Sequence, residues 1–322
     1  MTLDGPMADA RAWTRASLSW QDVRIPVPDA CQAEIDAAVG TLTSRTEPAL
    51  PLDPGAFPLP ACRQLMADVQ STLLDGVGHV ILDRIAVERH SPDENRAIAW
   101  LLARLLGRVV SQTWSGTYLY DVKDSGQPLG YGVRRSVTNA AQPFHTDGPW
   151  LWKPPAVVGL LCVQSGHEGG LSRVTSLLTA HDEMRRRHSD LLSRLYEVFS
   201  WDRQAEHPPD DSRVSRHPVY ASDGGRLFGR YYEDYVVKGH ALAGEALDVA
   251  GVEALAALRT IIDRPESWVE FRLERGQFQF VNNRQIAHCR TEFRDEPGHP
   301  RHMIRVWVRD EGTPHLEGRA VA

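Results

Sequence analysis

Apolar residues recur with two different periods along this chain, and the change of period divides it. Two early stretches, about 30–44 and 61–74, repeat every three to four residues as helices do, with a proline-rich link at 47–60 between them. Residues 1–28 are polar and irregular and predict an arm lying on the body. A strand is predicted over 77–85, beside Gly76 and Gly78. Ser91-Pro92-Asp93-Glu94 then supplies a capping box with proline at the first helical position. The helix it opens carries Ile98, Leu101, Leu102 and Leu105 on one face and stops at Gly107.

From Arg108 the period is two. Strands are predicted near 108–113, 116–122, 143–147, 157–164 and 172–177, then at 267–273, 277–282, 286–289 and 302–308. Between them fall a polar helical run at 178–198, a hairpin from Val219 to Phe228 closed by Asp223-Gly224-Gly225, and a helix over 243–263. The stretch 124–142, with Gly126, Pro128, Gly130 and Gly132, is the longest without a period, and a loop of that length predicts an active-site lid. No internal repeat and no linker interrupt the pattern. Helices followed by many short strands predict one α+β, mainly β domain built around a β-barrel, with residues 1–75 packed on it as an arm and helices.

Composition narrows the partners. The chain has 322 residues, and 36 Lys and Arg against 42 Asp and Glu leave a net charge of −6 with no basic run, so nucleic acid and anionic membrane are poor partners. No window approaches the roughly 18 apolar residues of a membrane span, and the first residues lack the apolar core of a secretory signal, so a cytoplasmic location is expected. The four cysteines are scattered, without a CxxC pair, which argues against a structural zinc site. Cys162, within an apolar strand, reads as an inert core thiol.

Chemistry enters with His145-Thr146-Asp147. On a strand, positions i and i+2 face the same side, so both side chains reach one ion. His188-Ser189-Asp190 and His181-Asp182-Glu183 have the same spacing but fall in the helical run, where i and i+2 diverge by roughly 200° and do not chelate together. A two-His, one-carboxylate set needs a third ligand. His288 is available after an apolar strand and a polar turn; alone it reads as a hydrogen-bonded core histidine. Gly169-Gly170 lacks the rest of any phosphate-loop signature.

Several segments together resemble the TauD/TfdA (taurine-dioxygenase-like) family of Fe(II)/2-oxoglutarate-dependent oxygenases. They are Phe144-His145-Thr146-Asp147-Gly148, Leu160-Leu161-Cys162-Val163 and Gly169-Gly170-Leu171-Ser172-Arg173, then Asn283-Arg284 followed by His288, Arg290-Thr291 and Phe293, and finally Arg301-His302 with Arg305-Val306-Trp307-Val308. Ser172 follows Asp147 with 24 residues between, and Arg301 follows His288 with 12 between, in the order and at the spacing the family uses. The resemblance covers about 77–310 and leaves the first 75 or so residues unaccounted for.

The resemblance implies a distorted double-stranded β-helix (a jelly roll, cupin-like) with flanking helices, and an enzyme that uses Fe(II), 2-oxoglutarate and O2 to oxidise a small molecule. It implies that His145, Asp147 and His288 ligate iron and that Arg301 anchors the distal carboxylate of 2-oxoglutarate, a task suited to the planar, always-charged guanidinium. Ser172 would offer the cosubstrate a hydroxyl; a sheet-surface residue is the alternative. Arg305, four residues along the same strand face, would meet an acidic group of the substrate, or else pair with an acidic residue of the protein. Trp150, Tyr131, Arg134 and Arg135 flank the site in sequence as candidate substrate-lining residues, against a plain surface or lid role. Related halogenases carry a small residue where Asp147 stands, so halogenation is not expected. Hydroxylation is the expected outcome, with desaturation, cyclisation or oxidative cleavage on the same iron ligands as the alternative; a silent 2-oxoglutarate- or metal-binding module and a zinc hydrolase on the same three ligands are the rival readings.

Overall fold

The computed structural model describes residues 10–41, 53–128, 130 and 132–319. Two mainly antiparallel β-sheets face each other. The larger runs Arg24–Pro26, His79–Asp83, Phe278–Asn282, Val157–Gln164, His302–Arg309, with Arg108–Val110 and Leu119–Val122 pairing along different lengths of the last strand. The smaller runs Trp268–Phe271, Ser172–Ser176, Ile286–Arg290, Gln142–His145. Together they make the expected jelly roll.

Strand alternation decides which side chains see the interior. Along His302–Arg309, Met303 and Trp307 join the core between the sheets, while Ile304, Val306 and Val308 join a second core under helices Asp29–Gly40, Pro60–Leu74 and Pro92–Leu106. The larger sheet is therefore buried on both faces, which is why its strands read as nearly continuous apolar runs. Arg305 lies on the inward face between Met303 and Trp307, so the strand period alone carries a guanidinium into the space between the sheets.

Local signals behaved as read at several points. The capping box closes as expected, with the Glu94 amide donating to Ser91 Oγ at 3.3 Å and the Ser91 amide donating to Glu94 Oε2 at 2.7 Å. The strand expected at 157–164 spans those residues, and the hairpin pairs Tyr220–Asp223 with Arg226–Gly229.

Elsewhere tertiary context overrides the pattern. The supposedly irregular arm contributes the edge strand Arg24–Pro26, parallel to His79–Asp83. The helical run breaks at His188, giving helices Leu177–Arg187 and Ser189–Leu195; His188 is the junction residue rather than a helical one. The later helix begins at Val249 rather than 243, and a separate helix, Glu233–Ala243, precedes it. That helix was hidden by Gly239, a poor helix former. Its glycine is explained by packing, because a Cβ there would lie 2.3 Å from the Ser200 carbonyl oxygen of strand Phe199–Asp202. The period-two stretch after Arg108 forms only Arg108–Val110 and Leu119–Val122, with a turn between.

Three buried histidines give the fold a pH dependence. Burial pushes His79 and His217 down to about 3 and His181 down to about 4. A histidine neutral in the folded protein and ordinary in the unfolded one costs nothing above its unfolded pKa of 6.5 and lowers stability progressively below it. Each contributes up to about 1.4 kcal/mol per pH unit between the unfolded and folded values. The metal-free protein should therefore melt at clearly lower temperature at about pH 5 than at about pH 7; a constant melting temperature over that range would contradict the burial of these rings.

Candidate active site

Register builds the centre of the site. In the antiparallel pairing of Ile286–Arg290 with Gln142–His145, His288 stands directly opposite His145, and the two rings lie 4.4 Å apart between centroids. Asp147 follows where the chain leaves the strand. One ligand atom from each of His145, Asp147 and His288 lies within 4.8 Å of the others, and among the described residues no other His, Cys or carboxylate cluster does this. His181 and His188 are not part of it. His181 is a core residue whose Nε2 meets the Tyr196 hydroxyl at 2.8 Å.

The ligand set is held in orientation by neighbours. His145 Nδ1 donates to the Pro143 carbonyl at 2.9 Å, which fixes the tautomer and leaves the Nε2 lone pair facing the cluster. The Gln142 amide meets that nitrogen at 2.9 Å. The two oxygens of Asp147 are divided: Oδ1 faces His145 Nε2 at 3.3 Å and His288 Nε2 at 3.9 Å, whereas Oδ2 accepts from Trp307 Nε1 at 2.8 Å and lies 3.3 Å from Arg305 Nη1. The Asn283 side chain clamps the Asp147 backbone, accepting from its N–H at 2.7 Å and donating to its carbonyl at 2.9 Å.

Burial opposes ionisation of Asp147, but the Arg305 charge and the contacts with His145 and His288 reverse this and hold the carboxyl well below its usual range. Burial, reinforced by His145 and only partly offset by Asp147, pushes His288 down to about 3, so it presents neutral imidazole, the form that ligates metals. Its Nδ1 is buried without a partner.

Two chambers meet at this cluster and share Ser136, Gln142, His145 and Arg305. The first is closed by Arg301, Arg290, Ser172 and Gln279. Arg301 is 4% exposed, no carboxylate among the described residues pairs with it, and its Nη1 has no partner. Phe293 lies under the guanidinium at 5.2 Å. Gly170, at φ +63, lets the chain pass so close that a Cβ would sit 3.3 Å from Arg301 Nε. A buried cation without an anion is costly, so this chamber is shaped for one.

The second chamber is lined by Trp150, Arg134, Arg135, Tyr232, Tyr235 and Trp307 beside Asp147. Arg305 also donates from Nε to Gln112 Oε1 at 2.7 Å and stacks over Tyr120 at 5.1 Å. The cations expected near the site are here but not free: Arg134 pairs with Glu206, and Arg135 lies 3.6 Å from Asp234. Trp150 packs edge-on against Tyr235, and its Nε1 is buried without a partner. Tyr131 lies outside the described residues.

Sequence reasoning missed Tyr232 and Tyr235, which arrive at the start and in the first turn of the unexpected helix, and Gln112, Gln279 and Ser136. Asn283, Arg290 and Trp307 stood within the quoted segments, and strand alternation from Arg305 would have flagged Trp307.

Two imidazoles and one carboxylate oxygen on one side of a cavity match the donor set that binds Fe(II) and leaves positions open. The unpartnered Arg301 Nη1 beside Ser172 fits an oxyanion.

Comparison with known proteins agrees. The family model described as "Taurine catabolism dioxygenase TauD, TfdA family" matches residues 47–307. A relative, FR-33289 synthase of Streptomyces rubellomurinus, is 26% identical over 320 residues, spanning 96% of this chain and 92% of its own. Uridine-5'-phosphate dioxygenase of an Amycolatopsis species is 25% identical over 195 residues, 58% of this chain and 70% of its own. Among solved structures, asparagine oxygenase in complex with Fe(II), 2S,3S-3-hydroxyasparagine and succinate superposes with a TM-score of 0.69 at 17% identity, covering 89% of this chain and 93% of its own.

Proposed function

The chain belongs to the TauD/TfdA family of Fe(II)- and 2-oxoglutarate-dependent dioxygenases, and on that premise we propose a role for each residue of the site. The observation that carries the assignment is the buried, unpaired Arg301 guanidinium in a chamber that opens onto the His145, Asp147 and His288 cluster. His145 and His288 hold iron through Nε2 and Asp147 through Oδ1. Iron, when bound, supplies O2 activation coupled to the decarboxylation of 2-oxoglutarate, and the outcome is oxidation of a substrate C–H bond, most simply hydroxylation. Arg301 takes the distal carboxylate of 2-oxoglutarate as a forked, charge-assisted partner, and Ser172 donates its hydroxyl. Trp307 and Arg305 keep the second oxygen of Asp147 occupied, so that one oxygen faces the metal.

The second chamber takes the substrate, a small molecule bearing a carboxylate or similar oxyanion, such as an amino-acid-derived metabolite. Arg305 receives the acidic group, with Trp150 as a wall and hydrogen-bond donor. Residues 124–142 act as a lid that brings Arg134 and Arg135 over the chamber and excludes water. Two observations support an acidic substrate. Arg305 is buried with only Asp147 as its anionic contact, and that carboxylate is shared with the metal. The compounds named in two similar proteins, uridine-5'-phosphate and asparagine, both carry acidic groups. The chain acts as one catalytic domain. We place it in the cytoplasm, in keeping with four free cysteines.

Addition of Fe(II) and 2-oxoglutarate without oxygen should produce the charge-transfer absorption of the chelate, and O2 with a matching substrate should release succinate in step with oxidised product. Absence of both signals would end the reading. Arg305→Met should raise the substrate KM about hundredfold, the effect of removing one partner of a buried charge pair, while substrate-free decay of 2-oxoglutarate continues. Loss of both activities together would make Arg305 structural, and a neutral substrate turned over well by the variant would refute the acidic class.

A further inference from the structure

Arg290 has no role in the assignments above, yet it is the second guanidinium of the first chamber. It stands two residues beyond His288 on the same inward strand face, and it is 7% exposed. Phe293 carries both cations: Arg290 lies 4.7 Å and Arg301 5.2 Å from its ring centroid. No carboxylate among the described residues pairs with either one. The chamber thus holds two like charges with no ion-paired anion; Asp295, which accepts from the Arg301 backbone amide at 2.8 Å, offsets them only in part, so the arrangement costs free energy until a dianion arrives.

Arg290 is also the main tie between this chamber and the segment that precedes His145. Its Nη2 donates to the Thr138 carbonyl at 3.0 Å and to the Ala140 carbonyl, while its Nε is buried without a partner. The Phe293 amide donates to the Asn139 carbonyl at 3.1 Å. Ser136 Oγ lines the chamber, buried and unpartnered, and Gln142 reaches His145. Ser136 and Gln142 thus line this chamber directly, and residues 138 and 140 are tied to it through their carbonyls on Arg290, although only Gln142 belongs to a strand.

We propose that Arg290 is a positioning residue that couples filling of the first chamber to the hold on residues 136–142. This rests on the reading of that chamber as the 2-oxoglutarate site. A dicarboxylate there supplies the counter-charge that both guanidiniums lack. Arg290, no longer repelled by Arg301, grips the Thr138 and Ala140 carbonyls more firmly, and Ser136 Oγ gains an acceptor. The adjoining Arg134 and Arg135 are thereby fixed over the second chamber. By linkage, whatever the dicarboxylate adds to the order of the segment, the ordered segment returns to dicarboxylate affinity.

The test is amide hydrogen exchange of the full chain loaded with Ni(II), a metal that does not turn over, with and without 2-oxoglutarate, whose binding is followed in parallel by calorimetry. In the wild type, exchange across 134–142 should slow about tenfold on adding 2-oxoglutarate, within the usual range of coupling between sites. Arg290→Met should lose that slowing while still giving binding heat through Arg301. Arg290→Lys keeps the charge without the fork, and should also lose the slowing, which covers the case in which the Met variant does not fold. Binding heat with no change in exchange in the wild type, or full slowing in either variant, would overturn the coupling. Absence of heat in the wild type would instead overturn the assignment of the chamber, and this inference with it.

Discussion

Alanine at any one of His145, Asp147 or His288 should reduce succinate formation by about a thousandfold or more, equivalent to at least about 4 kcal/mol of transition-state stabilisation. Each residue supplies one of three donors that converge within 4.8 Å, and no other cluster among the described residues can replace it. The metal should be catalytic rather than structural, because the site hangs on two sheets with a core between them and another under the helices. His145→Ala and His288→Ala should therefore keep the melting temperature of the metal-free protein close to that of the wild type.

Asp147 is different. Its removal strands Trp307 Nε1 and the buried Arg305 charge, so Asp147→Ala should also destabilise the metal-free protein by about 3 kcal/mol. Asp147→Asn, which still offers Trp307 an acceptor, should lose less. Metal titration and thermal melting measured side by side separate these effects. Near-wild-type succinate from any of the three alanine variants would strike that residue from the ligand set. His188→Ala serves as the control that leaves metal binding intact. His181→Ala should also leave it intact but cost stability, because its ring is buried and bonded to Tyr196.

Arg301→Ala should raise the dissociation constant for 2-oxoglutarate about hundredfold or more, the two to five kcal/mol typical of truncating one partner of a buried charge pair. The expectation rests on burial. A carboxylate entering this chamber gives up water, and only a guanidinium whose own partners are missing returns that loss. Removing Arg301 leaves Arg290 as the remaining cation, and its Nη2 is already engaged with Thr138 and Ala140. Metal affinity in the absence of 2-oxoglutarate should change little. An unchanged titration of the Fe(II)–2-oxoglutarate absorption would show that Arg301 is not the anchor.

What the sequence by itself determined is what local physics controls. The capping box at Ser91, the strand over 157–164 and the inward face of Arg305 between Met303 and Trp307 follow from backbone periods and short-range hydrogen bonds, whereas Asp147 lies just past strand Gln142–His145 and Arg301 just before strand His302–Arg309, so strand alternation alone does not place them. Even so, neither His288 nor Arg301 had a secure meaning alone. The spacing shared with a known family supplied it, because the chemistry links residues far apart in the chain. Only the tertiary structure decided the rest. His288 faces His145 because two antiparallel strands pair in one register, and a slip by one residue would turn His288 outward and Cys289 inward. Trp307 reaches Asp147 across 160 positions, and Tyr232 and Tyr235 arrive at the start of a helix whose glycine disguised it. Arg134 lost its expected freedom to Glu206, a residue from a distant loop. Periodicity reports which way a side chain points from its own element; which partner it meets there is set by how elements pack, and no local pattern contains that.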